Sequence, residues 1–145
     1  MTTIAYDGKT LAADTQMTIG DTTDSTCIKI VKRGAVLAGA CGTSAMCKAF
    51  RDWFIGGMRG DPPKPYHAEK SDWSYWGLIF PPQSDSFLIL QEPGWNWLRA
   101  PFYATGSGGD IATGALAMGA TAEEAVRVAS RFDTATGGEI TVLRR

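Results

Sequence analysis

The chain has 145 residues, of which 44% are hydrophobic, so it can form one globular domain with a substantial core but not two. Its 14 Lys and Arg nearly balance its 15 Asp and Glu, which favours neither nucleic acid nor an acidic membrane surface as a partner. The N-terminus lacks the basic start and apolar core of a signal peptide, and no apolar run reaches bilayer length, so we expect a cytoplasmic protein.

The cysteines and the single histidine limit the kinds of metal or nucleophile site. Cys27, Cys41 and Cys47 are odd in number and lack the paired spacing of metal ligands, which favours reduced thiols over disulfides. A zinc site or a Ser-His-Asp triad would have to be built around His67 alone, in a Pro-rich stretch that we expect to be exposed. We therefore expect no metal and no cofactor.

Short β-prone runs dominate the first forty residues. Asp7-Gly8 lies between two of them and is a strong hairpin signal, and a second hairpin is expected to turn at Arg33-Gly34. Residues 15–26 are rich in Thr, Asp and Gly and are predicted to be a loop. The predicted strands are 2–6, 10–13, 27–32 and 35–40.

Helical spacing of apolar residues first appears over residues 44–55, with Ser44 as a cap and Gly56-Gly57 as a stop. Residues 57–72 contain three prolines and are predicted to be a surface loop. The five tryptophans lie between residues 53 and 97, and we assign them to the core. The strands predicted next are 73–80, 86–91, 95–98 and 102–105.

Two helices and a final strand complete the predicted elements. The helices span 111–118 and 122–132 and are separated at Gly119; Thr121 and Glu124 form a capping box at the start of the second. The final strand spans 139–143. Strands, a helix, strands, helices and a last strand indicate an α+β fold in which helices pack against sheets.

Five short segments, spread over nearly the whole chain, together resemble proteasome β subunits and the peptidase subunits of bacterial two-component proteases. They are Thr2-Thr3-Ile4-Ala5 with Leu11-Ala12-Ala13-Asp14, Lys29-Ile30, Ala38-Gly39-Ala40-Cys41-Gly42-Thr43, Gly106-Ser107-Gly108-Gly109, and Asp133-x-x-Thr136-Gly137-Gly138. The resemblance implies a four-layer αββα sandwich of the N-terminal-nucleophile (Ntn) hydrolases. Only one helix is predicted between Gly42 and Trp73, where the family usually has two, so we expect a reduced helical layer.

The resemblance assigns the nucleophile to Thr2, exposed as the first residue by removal of Met1. A threonine hydroxyl needs a base, and an α-amine with a reference pKa of about 7.7–8.0 can take its proton near neutral pH. By the same resemblance, Lys29 lies beside Thr2, and Asp14 keeps the lysine charged. The remaining implied members of the catalytic set orient the amine and are Ser107, Asp133 and Thr136.

The family also implies an oxyanion hole and a specificity pocket. The oxyanion donor is a backbone N–H that falls on Cys41, with Gly42 beside it, where the family has a Gly-Gly turn. Gln16 stands where many active relatives carry an arginine. The implied pocket residues predict an apolar, open site and are Met17, Cys27, Gly39 and Thr43.

The resulting hypothesis is a threonine-type peptidase that cuts peptides or unfolded proteins. It is expected to form a homo-oligomer, with a ring as one arrangement, and to have an ATP-dependent unfoldase as a potential partner. Two alternatives stay open: a catalytically silent scaffold or assembly protein that retains Met1, and a small-molecule amidase of the same fold.

Overall fold

A computed structural model describes residues 1–64, 75–91 and 94–145, with Asp24 described through its backbone alone. The first half contains β1 (Thr3–Tyr6), β2 (Thr10–Asp14), β3 (Gln16–Ile19), β4 (Thr22–Thr26), β5 (Ile30–Arg33), β6 (Val36–Gly42) and α1 (Ser44–Ile55). The second half contains β7 (Tyr75–Phe80), β8 (Ser86–Gln91), β9 (Gly94–Arg99), β10 (Tyr103–Gly106), α2 (Gly109–Ala117), α3 (Ala122–Phe132) and β11 (Ile140–Arg144).

The strands form two main antiparallel sheets and a separate hairpin. The first main sheet has the order β10-β1-β2-β11, and the second runs β5-β6-β7-β8-β9. Strands β1 and β2 pair with Tyr6 opposite Leu11, and the turn between them forms because Asp7 accepts hydrogen bonds from the N–H groups of Lys9 and Thr10. Gly8, at φ +96°, supplies the left-handed residue that this turn requires.

The layers follow from which faces of the sheets are apolar. Side chains from β1 and β2 meet side chains from β5 to β8 in a core between the two sheets. Helix α1 packs on the outer face of the five-stranded sheet, and α2 and α3 pack on the outer face of the four-stranded sheet. The predicted four-layer αββα arrangement is therefore confirmed, and α1 is the one described helix on its side.

The prediction of a loop over residues 15–26 is wrong, because this segment forms the β3–β4 hairpin. Threonine favours extended backbone, and Gly20 at φ +59° allows the chain to reverse between the two strands. The Thr22 hydroxyl reinforces the turn by donating to the Ile19 carbonyl. Six strands thus precede α1, rather than the four predicted.

Helix boundaries agree closely with the pattern of capping residues. Helices α1 and α3 and strand β8 have the predicted bounds, and Thr121 and Glu124 form the predicted capping box. The N-cap of α1 is Thr43, one residue before the predicted Ser44. The strand predicted over 73–80 ends at Phe80 as predicted, and its predicted start lies outside the described residues; the remaining predicted strands and the helix that became α2 differ by one to three residues at one or both ends.

The tryptophans divide between core and surface. Trp53 and Trp76 pack against the cores, whereas Trp95 and Trp97 are 38% and 58% exposed. The prediction that all tryptophans lie in the core is wrong for Trp95 and Trp97. Both belong to β9, which is the edge strand of the five-stranded sheet, and α1 is the one described helix that packs on the outer face of that sheet. His67 and Trp73, with residues 65–72 of the predicted surface loop, lie outside the described residues. None of the helices in the described ranges is long and apolar enough to cross a membrane.

Candidate active site

Thr2 lies immediately before β1, is 7% exposed, and is held by the turn that joins β10 to α2. The Ser107 N–H donates to the Thr2 carbonyl at 2.9 Å. Gly106 has φ +100°, and a Cβ atom built on it would lie 1.7 Å from the Thr2 carbonyl oxygen. Only glycine therefore allows this turn to approach Thr2 so closely.

A buried ion pair joins the end of β2 to the residue before β5. Lys29 Nζ lies 2.8 Å from Asp14 Oδ1, and the two side chains are 3% and 0% exposed. The Asp14 carboxylate also accepts the backbone N–H groups of Thr3 and Gly137, at 2.8 and 3.1 Å. Lys29 donates a further hydrogen bond to the Met1 carbonyl at 3.0 Å, so its ammonium group touches the peptide unit that precedes Thr2.

A directed chain of hydroxyl groups runs beside Thr2. The Gly108 N–H donates to Thr3 Oγ1, which lies 2.6 Å from Thr136 Oγ1, and Thr136 donates to the Asp133 carboxylate. Each hydroxyl has one proton, so Thr3 must donate to Thr136. These hydrogen bonds link the start of α2, strand β1 and the turn after α3. Sequence reasoning missed Thr3, whose role depends on a contact with a residue 133 positions away.

The Asp133 carboxylate is the charged end of this chain. Burial is the largest influence and raises its pKa, but hydrogen bonds from Thr136, Ser107 and the Ala135 N–H together outweigh burial and lower the pKa below its usual value. Asp133 is therefore an anion at neutral pH and holds the Ser107 side chain beside the chain segment that contains Thr2.

Gln16 connects β3 to the segment that contains Asp133 and Thr136. Its amide Nε2 donates to the Thr134 carbonyl at 3.0 Å. A Cβ atom on Gly137 would lie 2.2 Å from Gln16 Oε1, so the glycine lets the amide lie against the backbone. Gln16 thus supports the same turn as the chain of hydroxyl groups.

Cys41 and Gly42 end strand β6 with different orientations. Cys41 is 3% exposed in the core between the sheets, and burial raises the pKa of its thiol despite a contact with the Thr105 hydroxyl. The Ala40 N–H donates to the Lys29 carbonyl on the β5 side. Backbone N–H groups alternate along a strand, so the Gly42 N–H points to that same side and the Cys41 N–H points to β7. Gly42 has φ +120°, which favours glycine.

A cavity of about 150 Å³ adjoins Thr2 between α1, β6 and the β3–β4 hairpin. Met17 and Cys27 line it, whereas Gly39 and Thr43 are not among its lining residues: Gly39 is buried against Ile30 and Ile4, and Thr43 occupies the N-cap position of α1. The cavity is more polar than the pattern of pocket residues predicts. The other lining residues are Met1, Thr2, Gln16, Thr18, Lys29, Ala40, Gly42, Ser44, Cys47 and Arg51.

The remaining candidate groups include no metal cluster. Within the described ranges, no three His, Cys, Asp or Glu side chains come together in a way that could hold an ion. Cys27, Cys41 and Cys47 are all free thiols. The groups available for chemistry at the cavity are therefore hydroxyls, the thiols of Cys27 and Cys47, backbone N–H groups and the cationic side chains of Lys29 and Arg51.

Comparison with solved structures identifies the fold. The BPH protein of Thiobacillus denitrificans, solved in complex with epoxomicin, matches with a TM-score of 0.71 and 22% identity over 97% of this chain and 96% of that one. HslV from Trypanosoma brucei matches with a TM-score of 0.68 and 20% identity over 99% of both chains. The chain has a proteasome β-subunit-like fold.

The Anbu complex of Pseudomonas aeruginosa, described as a helical assembly, extends the same comparison. It matches this proteasome-like chain with a TM-score of 0.72 and 15% identity, over 100% of this chain and 81% of that one. No protein-family model and no curated protein matches the sequence. At these identities the likeness establishes the α+β proteasome-like architecture, and the chemistry has to be argued from the site itself.

Proposed function

We propose that the chain is a threonine-type peptidase of the Ntn-hydrolase class, with Thr2 as its nucleophile after cleavage of the Met1–Thr2 bond. The observation that carries the proposal is the buried Lys29 ammonium, which is paired with Asp14 and donates to the Met1 carbonyl beside Thr2. A buried cation is costly unless a specific partner holds it. Its position against the peptide unit of the proposed nucleophile supports a catalytic role.

In the proposed reaction, the freed α-amine of Thr2 takes the proton of its own hydroxyl. The oxygen then bonds to the carbonyl carbon of the substrate, and the tetrahedral intermediate collapses by breaking the C–N bond as the amine passes the proton to the leaving nitrogen. Water hydrolyses the resulting ester and regenerates the hydroxyl. The Lys29 charge favours the deprotonated hydroxyl and the neutral amine, because a cation disfavours a second positive charge nearby.

We assign the oxyanion donor to the Gly42 N–H rather than to that of Cys41. Strand alternation directs the Gly42 N–H to the β5 side, and Gly42 lines the cavity that adjoins Thr2. A backbone donor at this position would stabilise the negative oxygen of the tetrahedral intermediate. Ser107, Asp133 and Thr136 position the amine, and Met17 and Cys27 form part of the substrate pocket.

A non-catalytic scaffold is the second candidate, and one contact favours it. While Met1 is attached, its carbonyl accepts from Lys29 and the Thr2 nitrogen is an amide, which cannot act as the base. The structure with Met1 attached is thus the one expected both for an unprocessed precursor of the enzyme and for a catalytically inactive protein. Whether the Met1–Thr2 bond is cut separates the two candidates.

Substrate, assembly and location follow from the same proposal. We propose peptides or unfolded proteins as substrates, since BPH of the same fold is solved with epoxomicin. We also propose that residues 1–145 form one domain, that the protein assembles as a homo-oligomer in the cytoplasm, and that an ATP-dependent unfoldase could supply substrate.

Hydrolysis of a fluorogenic peptide amide tests the proposal, with intact mass reporting whether Met1 is present. Protein that lacks Met1 should hydrolyse the amide, T2S should keep part of this activity, and T2A should lose it. T113A removes an exposed threonine hydroxyl on α2 and should leave the rate unchanged. Full activity in T2A would refute the proposal, and retention of Met1 without turnover would favour the scaffold.

A further inference from the structure

One side chain of the cavity is not explained by the proposed chemistry. Ser44, Cys47 and Arg51 line it from α1, at spacings of three and four residues that place them on one face of the helix. Met46, Phe50 and Phe54 pack on the adjacent face against the sheet. Arg51 is half-buried at the edge of this packed face and lines the cavity.

The charge of the cavity is unbalanced. Among the described lining residues the cationic side chains are Lys29 and Arg51, with the α-ammonium group of Met1 beside them while Met1 is attached, and none is a carboxylate. Lys29 is neutralised by Asp14 at 2.8 Å, whereas no carboxylate whose side chain is described forms an ion pair with Arg51. The Arg51 charge acts on the neighbouring Cys47 thiol, where it opposes the effect of burial on the pKa. Among the described side chains, the Arg51 charge is therefore not neutralised by a carboxylate, and it lies in the pocket beside the proposed nucleophile.

We propose that Arg51 is a specificity-determining residue that selects an acidic side chain, glutamate or aspartate, immediately N-terminal to the cleaved bond. This inference rests on the proposed function. The planar guanidinium group presents two parallel N–H donors that match the two oxygens of a carboxylate. The cavity adjoins Thr2, so the side chain of the residue that Thr2 attacks would enter it.

The apolar part of the lining favours a side chain with a methylene stem. Met17 and the Cys27 side chain form walls beside the polar groups of Gln16 and Thr18. A glutamate can place its methylene groups against these walls and its carboxylate against Arg51. A leucine side chain of the substrate would displace water from the Arg51 guanidinium group without offering it a hydrogen-bond acceptor in return.

Two matched peptides test the inference directly. They are fluorogenic amides that differ only in glutamate or glutamine before the cleaved bond, so that charge changes while size does not. Protein that lacks Met1 should cleave the glutamate peptide with a kcat/KM roughly 10- to 100-fold higher, the range for a hydrogen bond to a charged group. R51Q should abolish the difference between the peptides, chiefly by slowing the glutamate peptide.

Controls separate this inference from the function on which it rests. R131Q removes an exposed arginine from the last turn of α3 and should leave the preference intact. Equal cleavage of both peptides by the unaltered protein, or a glutamate preference that survives in R51Q, would overturn the role of Arg51 while leaving Thr2 catalysis standing. Absence of cleavage of glutamate, glutamine and leucine peptides by protein with a free Thr2 amine would overturn both.

Discussion

The buried pair of Lys29 and Asp14 gives the most quantitative test of how the site is built. K29M removes the ammonium group but keeps a stem of similar length, and it leaves Asp14 as an unpaired carboxylate at 0% side-chain exposure. Breaking a buried pair in this way costs about 3–5 kcal/mol. For a chain of this length, about 2–4 °C per kcal/mol converts the loss to a fall in Tm of about 6–20 °C.

The chain offers a matched control in Lys48, which pairs with Asp52 at 2.5 Å on the surface of α1. Those side chains are 70% and 65% exposed, so K48M should cost less than about 0.5 kcal/mol. The double variant D14N/K29M removes both buried charges and should be more stable than K29M alone, because no unpaired carboxylate remains. Urea unfolding followed by tryptophan fluorescence gives all four free energies. A K29M cost no larger than that of K48M would refute the reasoning.

Three further predictions concern the turns and the titrating groups. G106A should lower the unfolding free energy by more than about 2 kcal/mol, because its Cβ would overlap the carbonyl of the proposed nucleophile. Gly20 also has a positive φ, but a Cβ atom built on it would have no neighbour within 4 Å, so G20A should lower the unfolding free energy by only about 1–2 kcal/mol. Equal losses of unfolding free energy for G106A and G20A in urea would contradict the close approach of Gly106 to the Thr2 carbonyl. Burial raises the pKa of the Cys47 thiol to about 12, so iodoacetamide at pH 8 should modify the partly exposed Cys27 and spare Cys47 until the protein is unfolded, as peptide mass mapping would show. The pKa of Asp133 is lower in the folded protein than in the unfolded chain, so its ionised carboxylate stabilises the folded state at pH values above the unfolded pKa. This contribution is lost as the pH falls through the folded-state pKa. The difference in unfolding free energy between the unaltered protein and D133N should therefore shrink below about pH 4. A difference independent of pH would contradict this account.

Periodicity and turn chemistry predicted an α+β fold in which helices pack against sheets, and the family resemblance supplied the four-layer arrangement. The bounds of α1 and α3 followed from apolar spacing, capping residues and glycine, all of which are local in sequence. The β3–β4 hairpin was missed because its Thr, Asp and Gly content is equally typical of loops. The exposed Trp95 and Trp97 were missed because hydrophobicity alone does not tell an edge strand from a central one.

The candidate site was also predicted only in part from the sequence. Thr2, Asp14 and Lys29 were found through a resemblance in motif order. In the structure Asp14 and Lys29 are hydrogen-bonded to each other and to the backbone of Met1 and Thr3, the two residues on either side of Thr2. The motifs include Thr3 and the position of Gln16 but gave neither residue a supporting role, because their hydrogen-bond partners lie more than a hundred residues away. Arg51 is likewise an ordinary helix residue in sequence, and only the packing of α1 brings it to the cavity.

The assignment of Thr2 as the nucleophile is tested most directly by peptide mapping after incubation with a peptide epoxyketone. The account predicts one adduct per chain, located on Thr2, in protein whose mass shows that Met1 has been removed. Protein that retains Met1 should give no adduct under the same conditions. Unmodified Thr2 in protein with a confirmed free Thr2 amine, or an adduct on Cys27 instead, would contradict the account.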